Sequence, residues 1–370
     1  MLVRTGTKSR RERLAARLER PLVRIEYVGA RLLALLPAGW QRRLAGGRPI
    51  EIDGDTLDPA LQLILAVRQR LGVRPLAQLG PERARRFALR EARVSAGPPP
   101  HVGAVRDLQV DGAEGPLPAR HYAPAEPGGP HPLLVYFHGG GFVLGDLETH
   151  DVPCRILCRH GGVHVLSVDY RLAPEHPFPA AVRDAGAAFA WACAHAAELG
   201  ADPARVAVGG DSAGGNLAAV ATRLAATGGG PVPVLQLLIY PATDLDAERP
   251  SLSLFAEGFY LTRADRDWYT ETYLRGASDE DPLGSPLLAG ELAGLPPAIV
   301  INAAFDPLRD EGEAYAQALR EAGTPVLARR FPGLTHAFVN MTGIHPASRD
   351  AMVEVAGCLR GVLHLREASP

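Results

Sequence analysis

The chain has 370 residues, of which 46% are hydrophobic, and a formal net charge of −2 at pH 7. This balance indicates neither a nucleic acid nor an acidic polymer as partner, and the length suffices for a large buried core. The four Cys form neither a disulfide framework nor a metal-binding pattern, so we expect free thiols, no metal site and a cytoplasmic location.

Residues 1–50 are predicted to form a basic helical extension, because the first 45 residues contain 11 Lys or Arg and 3 Asp or Glu. Apolar residues recur there at helical spacing: Leu14, Leu18, Leu22 and Ile25. Pro21 is expected to interrupt a continuous helix. Three interpretations stay open: packing on the body or a partner subunit, contact with an anionic membrane or lipid substrate, and a targeting peptide.

A second helix is predicted to begin at Asp58-Pro59, a capping residue followed by proline at the first helical position. Its apolar stripe consists of Leu61, Ile64, Leu65 and Leu71.

A buried strand over residues 133–137 leads into His138-Gly139-Gly140-Gly141-Phe142. A backbone with so few side chains is free to turn its N–H groups toward a ligand. A flexible loop and a phosphate-binding loop are alternatives, but no Lys-Ser/Thr follows, which disfavours phosphate. The pattern therefore favours a loop that binds an oxyanion.

A second strand, over residues 206–208, leads into Gly210-Asp211-Ser212-Ala213-Gly214 and then into a helix over 213–226. Small residues two places before and after Ser212 allow a tight turn that exposes its hydroxyl, where a Cβ would crowd the neighbouring elements. The helix N-terminus also presents N–H groups to negative charge developing beside that hydroxyl. This pattern is typical of an activated serine nucleophile.

Two residues late in the chain complete the order Ser, acid, His that this chemistry requires. Asp306 ends a predicted strand over 298–305, and His336 follows another over 326–331. Competing residues are Asp310 and Glu311 for the acid, which suit the first turn of a helix better, and His345 for the base, which no strand precedes.

Apolar strands alternate along the chain with Ala-rich helices, which predicts an α/β fold with a mostly parallel sheet flanked by helices. The further predicted elements are a strand over 234–240 and helices over 180–195, 313–321 and 351–365.

With these motifs in place, the chain resembles the hormone-sensitive-lipase-like carboxylesterases of the α/β-hydrolase fold, in the branch with Gly-Asp-Ser-Ala-Gly. Further matching segments are Asp169-Tyr170-Arg171-Leu172-Ala173-Pro174-Glu175, Asp306-Pro307-Leu308-Arg309-Asp310-Glu311-Gly312 and His336-Ala337-Phe338. The resemblance implies a catalytic triad of Ser212, Asp306 and His336. It implies an oxyanion hole formed by the amides of Gly140, Gly141 and Ala213. The residues expected to shape these motifs are His138, Gly139, Gly210, Asp211 and Gly214.

The resemblance also implies a helical cap built from residues 51–98 and 246–281, over a catalytic body of residues 99–245 and 282–370. Candidate residues of the substrate pocket are Phe142, Phe255, Phe259, Tyr260 and Phe338. Packing of the aromatic residues of the second cap segment against the body is an equally weighted alternative.

The expected activity is hydrolysis of small carboxylic esters with short- to medium-chain acyl groups, without metal or organic cofactor. A lipase acting at a lipid surface, an amidase or arylformamidase, and a non-catalytic binding protein of the same fold stay open as alternatives. So do peripheral contact with a membrane through the basic N-terminus and a homodimer.

Overall fold

The structure, a computed structural model, describes residues 10–126, 129–246 and 248–365, with side chains from residue 21 to residue 363. Residues 1–9 of the predicted extension and the side chains of Leu14 and Leu18 lie outside this description.

The strands of the described residues are β1 (Glu51–Ile52), β2 (Asp55–Thr56), β3 (Ala104–Gly112), β4 (Gly115–Ala123), β5 (His131–Phe137), β6 (His164–Val168), β7 (Ala201–Asp211), β8 (Gln236–Ile239), β9 (Ala298–Phe305) and β10 (Val326–Thr335). The α-helices are α1 (Arg10–Ala34), α2 (Ala38–Leu44), α3 (Pro59–Arg70), α4 (Pro81–Ser95), α5 (Asp151–Gly161), α6 (Ala180–His195), α7 (Ala213–Gly228), α8 (Pro250–Leu254), α9 (Arg263–Leu274), α10 (Arg309–Glu321) and α11 (Pro346–Leu365). Short 3₁₀ turns cover Leu76–Gln78, Pro286–Leu288 and Phe338–Met341.

Within the described residues, an eight-stranded sheet has the order β10-β9-β8-β7-β5-β6-β4-β3. The strands from β10 to β6 in this order are parallel, while β4 and β3 are antiparallel to their neighbours. The sheet therefore places the carboxyl ends of β5, β7, β9 and β10 along one edge, where α/β folds carry their sites.

Both faces of the central strands are buried, which explains why their sequences are apolar without alternation. Along β5, Leu133, Val135 and Phe137 contact a layer that contains α6, α7 and α10. Leu134 and Tyr136, which point the opposite way, contact a layer that contains α5 and α11. The result is a three-layer α/β sandwich, as the sequence predicts.

The predicted elements agree closely with those observed, since α6 and β9 coincide with their predicted ranges. The capped start of α3 is confirmed, because Asp58 Oδ1 accepts a hydrogen bond from Ala60 N at 2.8 Å. Pro21 is a correction: it lies inside α1, which continues through it. A proline removes one helical hydrogen bond, and the other hydrogen bonds of this 25-residue helix outweigh that loss.

Helix α1 packs on α3 and α4. An ion pair of 2.6 Å joins Glu26 to Arg90 of α4, and Arg31 Nη1 donates to the Gly343 carbonyl at 3.0 Å. Along the part of the chain that the structure describes, none of the helices is both long and apolar enough to span a bilayer.

Candidate active site

Ser212 occupies the sharp turn between β7 and α7. Its backbone has φ 54° and ψ −120°, a strained conformation for a residue with a side chain, and its N–H donates to the Ile239 carbonyl at 2.9 Å. A Cβ on Gly214 would overlap the Phe137 carbonyl at the end of β5. The small residues around Ser212 are therefore required by close approach of the backbone, as the sequence predicts.

The side chains of Ser212, His336 and Asp306 form one hydrogen-bonded chain. His336 Nε2 lies 3.0 Å from Ser212 Oγ, and His336 Nδ1 lies 2.8 Å from Asp306 Oδ2. All three residues are buried, with Asp306 fully enclosed and Ser212 retaining 8% exposure. Since a carboxylate only accepts, Nδ1 carries the proton and Nε2 is left to accept from the serine hydroxyl.

The sheet explains how residues so distant in sequence meet. Asp306 directly follows β9 and His336 directly follows β10, and these two strands are neighbours. Asp306 Oδ1 also accepts from Leu308 N at 2.8 Å, which fixes the carboxylate at the start of α10. Asp306 and His336 thus reach Ser212 from strand ends on one side of it.

The glycine-rich loop after β5 lies beside Ser212. Gly141 has φ 60°, and a Cβ there would overlap the Tyr269 ring. A turn within the loop is closed by the Leu144 N–H, which donates to the Gly140 carbonyl at 2.8 Å. Within the described residues, the amides of Gly140, Gly141 and Ala213 have no hydrogen-bond acceptor. They are therefore free to donate to an oxygen between the loop and α7.

Asp211 connects the serine turn to the glycine-rich loop. Its Oδ1 accepts from Tyr136 Oη at 2.7 Å and from Gly139 N at 3.0 Å, and His150 Nε2 lies 3.3 Å away. Burial raises the pKa of Asp211, but the charge of His150 and the hydrogen bonds that the carboxylate accepts outweigh it, so the pKa is lowered. Asp211 is therefore a buried carboxylate that holds the first glycine of the loop.

His138 shapes the same loop from inside. Its Nδ1 donates to the Gly139 carbonyl at 2.9 Å, and its own carbonyl accepts from Tyr170 Oη at 2.7 Å. Burial, followed by repulsion from His150, lowers the pKa of His138 to about 4, so its ring is neutral at neutral pH.

A cavity of about 150 Å³ opens onto Ser212. Both predicted cap segments line it, the first through α4 and the 3₁₀ turn before it, and the second through α9 and the residues before it. Lining side chains from these segments include Leu76, Ala88, Glu91, Ala92, Tyr260, Leu261, Asp265 and Tyr269. The domain boundaries proposed from the sequence stay predictions, but both segments contribute walls to one cavity.

Two of the five predicted pocket residues, Phe142 and Tyr260, line this cavity. The other three are a correction: Phe255 and Phe338 are buried in the hydrophobic core, and Phe259 is partly buried against it. Phe255 and Phe259 contact each other and Phe305. Phe338 contacts Tyr240 and Phe331. For Phe255 and Phe259, packing against the body is the alternative that the sequence leaves open.

The competitors for acid and base have other partners. Asp310 accepts from Ser251 N at 2.8 Å, and His345 contacts Asp58 at 2.9 Å. Glu311 lies in the first turn of α10 as predicted, but it is buried and lines the cavity. Burial raises its pKa to about 8 although the amides of Thr243 and Asp244 donate to it.

His150 is a pocket residue that sequence reasoning missed, since no motif signals it. Tyr269, which also lines the cavity, belongs to the aromatic stretch of the second cap segment, for which the sequence left open both a pocket and packing against the body. Within the described residues, no group of three or more His, Cys, Asp or Glu is arranged to hold a metal ion.

Comparisons with known proteins agree with this fold. A family model described as an α/β-hydrolase fold matches residues 134–340. A carboxylic ester hydrolase of Mycobacterium tuberculosis, LipN, is 51% identical over 91% of each chain. An ethyl acetate hydrolase of Pseudomonas putida is 38% identical over 81% of this chain and 96% of its own. Among solved structures, an ester hydrolase from the metagenome of Lake Arreo is 41% identical, with a TM-score of 0.80 over 83% of this chain and 99% of its own.

The chain therefore belongs to the α/β-hydrolase family, as a member of its hormone-sensitive-lipase-like carboxylesterases.

Proposed function

We propose that this carboxylic ester hydrolase cleaves esters of short- to medium-chain acyl groups through a seryl ester formed on Ser212. The observation that carries the proposal is the continuous hydrogen-bonded chain from Ser212 through His336 to Asp306. A nucleophile, a base and a residue that orients the base are the three parts that such chemistry needs.

In the first half-reaction, Ser212 Oγ attacks the ester carbonyl carbon while its proton passes to His336 Nε2. The carbonyl oxygen becomes an oxyanion that accepts from the amides of Gly140, Gly141 and Ala213. His336 then gives its proton to the leaving alcohol as the carbon–oxygen bond breaks. Asp306 keeps the imidazole in its reactive tautomer and stabilises the imidazolium.

In the second half-reaction, water takes the place of the alcohol and the acid product leaves. His336 accepts a proton from the water as the water oxygen attacks the acyl carbon, and it returns the proton to Ser212 Oγ. In comparable sites the loss of one oxyanion donor raises the activation barrier by about 2.7–4 kcal/mol, so we expect the loop to contribute to catalysis on a scale comparable with the triad.

The cavity supports the substrate class. Its walls combine apolar side chains, such as Leu76 and Leu261, with polar ones close to Ser212. A volume of about 150 Å³ suits a small ester better than a long acyl chain. A relative named ethyl acetate hydrolase favours the same size range.

The test compares Ser212→Ala with the control Ser253→Ala, whose serine is exposed on α8. We expect Ser212→Ala to lower kcat on p-nitrophenyl butyrate by roughly four orders of magnitude or more, with an unchanged unfolding midpoint. Ser253→Ala should retain wild-type activity. A fluorophosphonate probe should label the wild type and Ser253→Ala but not Ser212→Ala.

Hydrolysis by Ser212→Ala at the wild-type rate would overturn the triad, and absence of labelling in the wild type would favour a binding protein. Rates from acetyl to palmitoyl esters, with matched anilides, test the substrate class. A maximum at palmitoyl, or faster cleavage of the anilide than of the ester, would contradict it.

A further inference from the structure

Helix α1 turns apolar side chains away from the protein. Tyr27, Ala30 and Ala34 face the body, while apolar residues three or four positions apart on the other side face solvent. These exposed residues, which we name the α1 stripe, are Leu22 (55% exposed), Ile25 (67%), Val28 (44%) and Leu32 (62%), together with Leu35 (59%) directly after the helix. A contiguous apolar row on a surface helix marks a contact with another apolar phase.

A basic cleft lies beside the stripe, between α1 and the body. It consists of two adjoining cavities of about 270 Å³ each, both lined by Arg31 and Arg349. Arg159 and His160 line the first cavity, and Asp350 lines the second. The hydrogen bonds of Arg31 to Gly343 and of Arg159 to His101 go to carbonyls, which carry no charge that would neutralise the guanidinium groups.

The stripe and the basic cleft adjoin at Leu35, which belongs to the stripe and lines the second cavity. An apolar row next to clustered guanidinium groups is complementary to one surface in particular. Acyl chains can receive the stripe while headgroup phosphates bind the arginines. We propose that the α1 stripe and the basic cleft dock this enzyme on an anionic phospholipid bilayer.

Charge favours a bilayer over a second copy of the chain. A two-fold symmetric dimer through the stripe would bring two copies of the same basic segment together, and its first 45 residues contain 11 Lys or Arg against 3 Asp or Glu. Anionic lipid would instead neutralise this excess of positive charge.

Docking would also place the active site close to the lipid. Helix α1 packs on α4, and Ala88 and Ala92 of α4 line the cavity that opens onto Ser212. One helix diameter, about 10 Å, would then separate the bilayer surface from the wall of that cavity. Vesicle binding itself does not depend on the proposed chemistry.

The experiment sediments the full-length protein with vesicles of phosphatidylcholine alone or of equimolar phosphatidylcholine and phosphatidylglycerol. The wild type should bind the anionic vesicles at least about tenfold more tightly than the neutral ones. Ile25→Glu/Leu32→Glu should weaken binding to anionic vesicles about tenfold or more. The matched control Val232→Glu, at a residue exposed to a similar degree (46%) far along the chain, should bind like the wild type.

A second part of the experiment removes positive charge from the basic cleft, and we expect a smaller effect. Arg159→Gln/Arg349→Gln should weaken binding to anionic vesicles roughly fivefold or more, while Arg106→Gln on the exposed strand β3 should change it by less than about twofold. Each variant should keep the wild-type unfolding midpoint and the wild-type rate on soluble p-nitrophenyl butyrate. Ser212→Ala should bind vesicles like the wild type, which separates failure of docking from failure of the proposed chemistry.

Three results would overturn the proposal. The first is equal binding of the wild type to both vesicles, or wild-type binding by Ile25→Glu/Leu32→Glu. The second is a wild type that forms a stable dimer and does not bind vesicles, together with a double variant that is monomeric. The third is a thermal shift by inorganic phosphate that Arg159→Gln/Arg349→Gln abolishes, again without vesicle binding, which would make the basic cleft a site for a free anion.

Discussion

The imidazole of His150 lies 3.3 Å from the carboxylate of Asp211, directly behind the serine turn. Thr149 Oγ1 contacts the other ring nitrogen of His150 at 2.9 Å, and the same carboxylate holds the amide of Gly139. The buried carboxylate of Asp211 thus links the residue before Ser212 to the loop that carries the free amides. Movement of this carboxylate would disturb the nucleophile and the proposed oxyanion hole together.

Asp211→Asn tests that link. Asparagine keeps one oxygen that can accept from Tyr136 and Gly139, but its NH2 group replaces the oxygen that accepts from Tyr240 Oη. The negative charge beside His150 is also lost, so the glycine-rich loop should be held less firmly. We expect kcat on p-nitrophenyl butyrate to fall about tenfold to a hundredfold, with a smaller change in KM. Steady-state kinetics measure the change, and Asp107→Asn, at an exposed position of β3, is the control. A wild-type kcat for Asp211→Asn would show that the loop holds its shape without the carboxylate.

Gly214→Ala should destabilise the fold by about 3 kcal/mol, because the added methyl would overlap the Phe137 carbonyl, which is backbone and cannot rotate away. Gly357→Ala is the matched control, since that glycine lies within α11 and has open space at its Cβ. It should stabilise the protein by about 0.5–1 kcal/mol. Urea unfolding followed by circular dichroism measures both changes. Equal unfolding midpoints for the two variants would contradict the close approach at Gly214.

Glu311 should make stability depend on pH. Burial raises its pKa from 4.5 to about 8, so between these values the folded protein keeps a proton that the unfolded chain has lost. The contribution of Glu311 to the free energy of unfolding should therefore be fully present below about pH 4.5 and decline by roughly 2–4 kcal/mol as pH rises to about 8.

Glu311→Gln removes the titrating group and keeps an oxygen for the amides of Thr243 and Asp244. The difference in unfolding free energy between wild type and variant, measured across the same pH range, isolates the contribution of Glu311. A difference that stays constant with pH, or that moves in favour of the wild type as pH rises, would refute the prediction.

Tyr269 should limit the acyl chain. Its ring lies against Gly141 and lines the cavity, so Tyr269→Ala should move the preferred p-nitrophenyl ester to a longer chain. Phe255→Leu is the control, because its ring packs in the core: it should leave the preference unchanged and cost about 1–2 kcal/mol of stability. Chain-length profiles and urea unfolding of both variants distinguish the two roles. A shift of the chain-length profile in Phe255→Leu would show that Phe255 lines the substrate pocket.

The parts of the site that sequence revealed are those placed at strand ends. Ser212, Asp306 and His336 each follow an apolar strand, and parallel strands in one sheet bring such residues to a common edge, so the pattern predicts their meeting.

The features of the site that the sequence did not reveal depend on packing between distant segments. Phe255 and Phe259 lie in a stretch without regular periodicity, so nothing in their spacing shows whether the rings face a pocket or Phe305. Glu311 has the sequence position of an exposed first-turn carboxylate, and only the approach of the segment at Thr243 buries it.

The sheet order has a consequence for how this protein would lose activity. Asp306 and His336 follow β9 and β10, the outermost pair at one margin, whereas Ser212 follows β7 in the middle. Fraying of that margin on heating would part the general base from its serine while the central strands remain intact. Loss of turnover on mild heating would thus report local melting at the rim of the sheet. At the same temperatures, far-ultraviolet circular dichroism would still show the secondary structure of the folded protein.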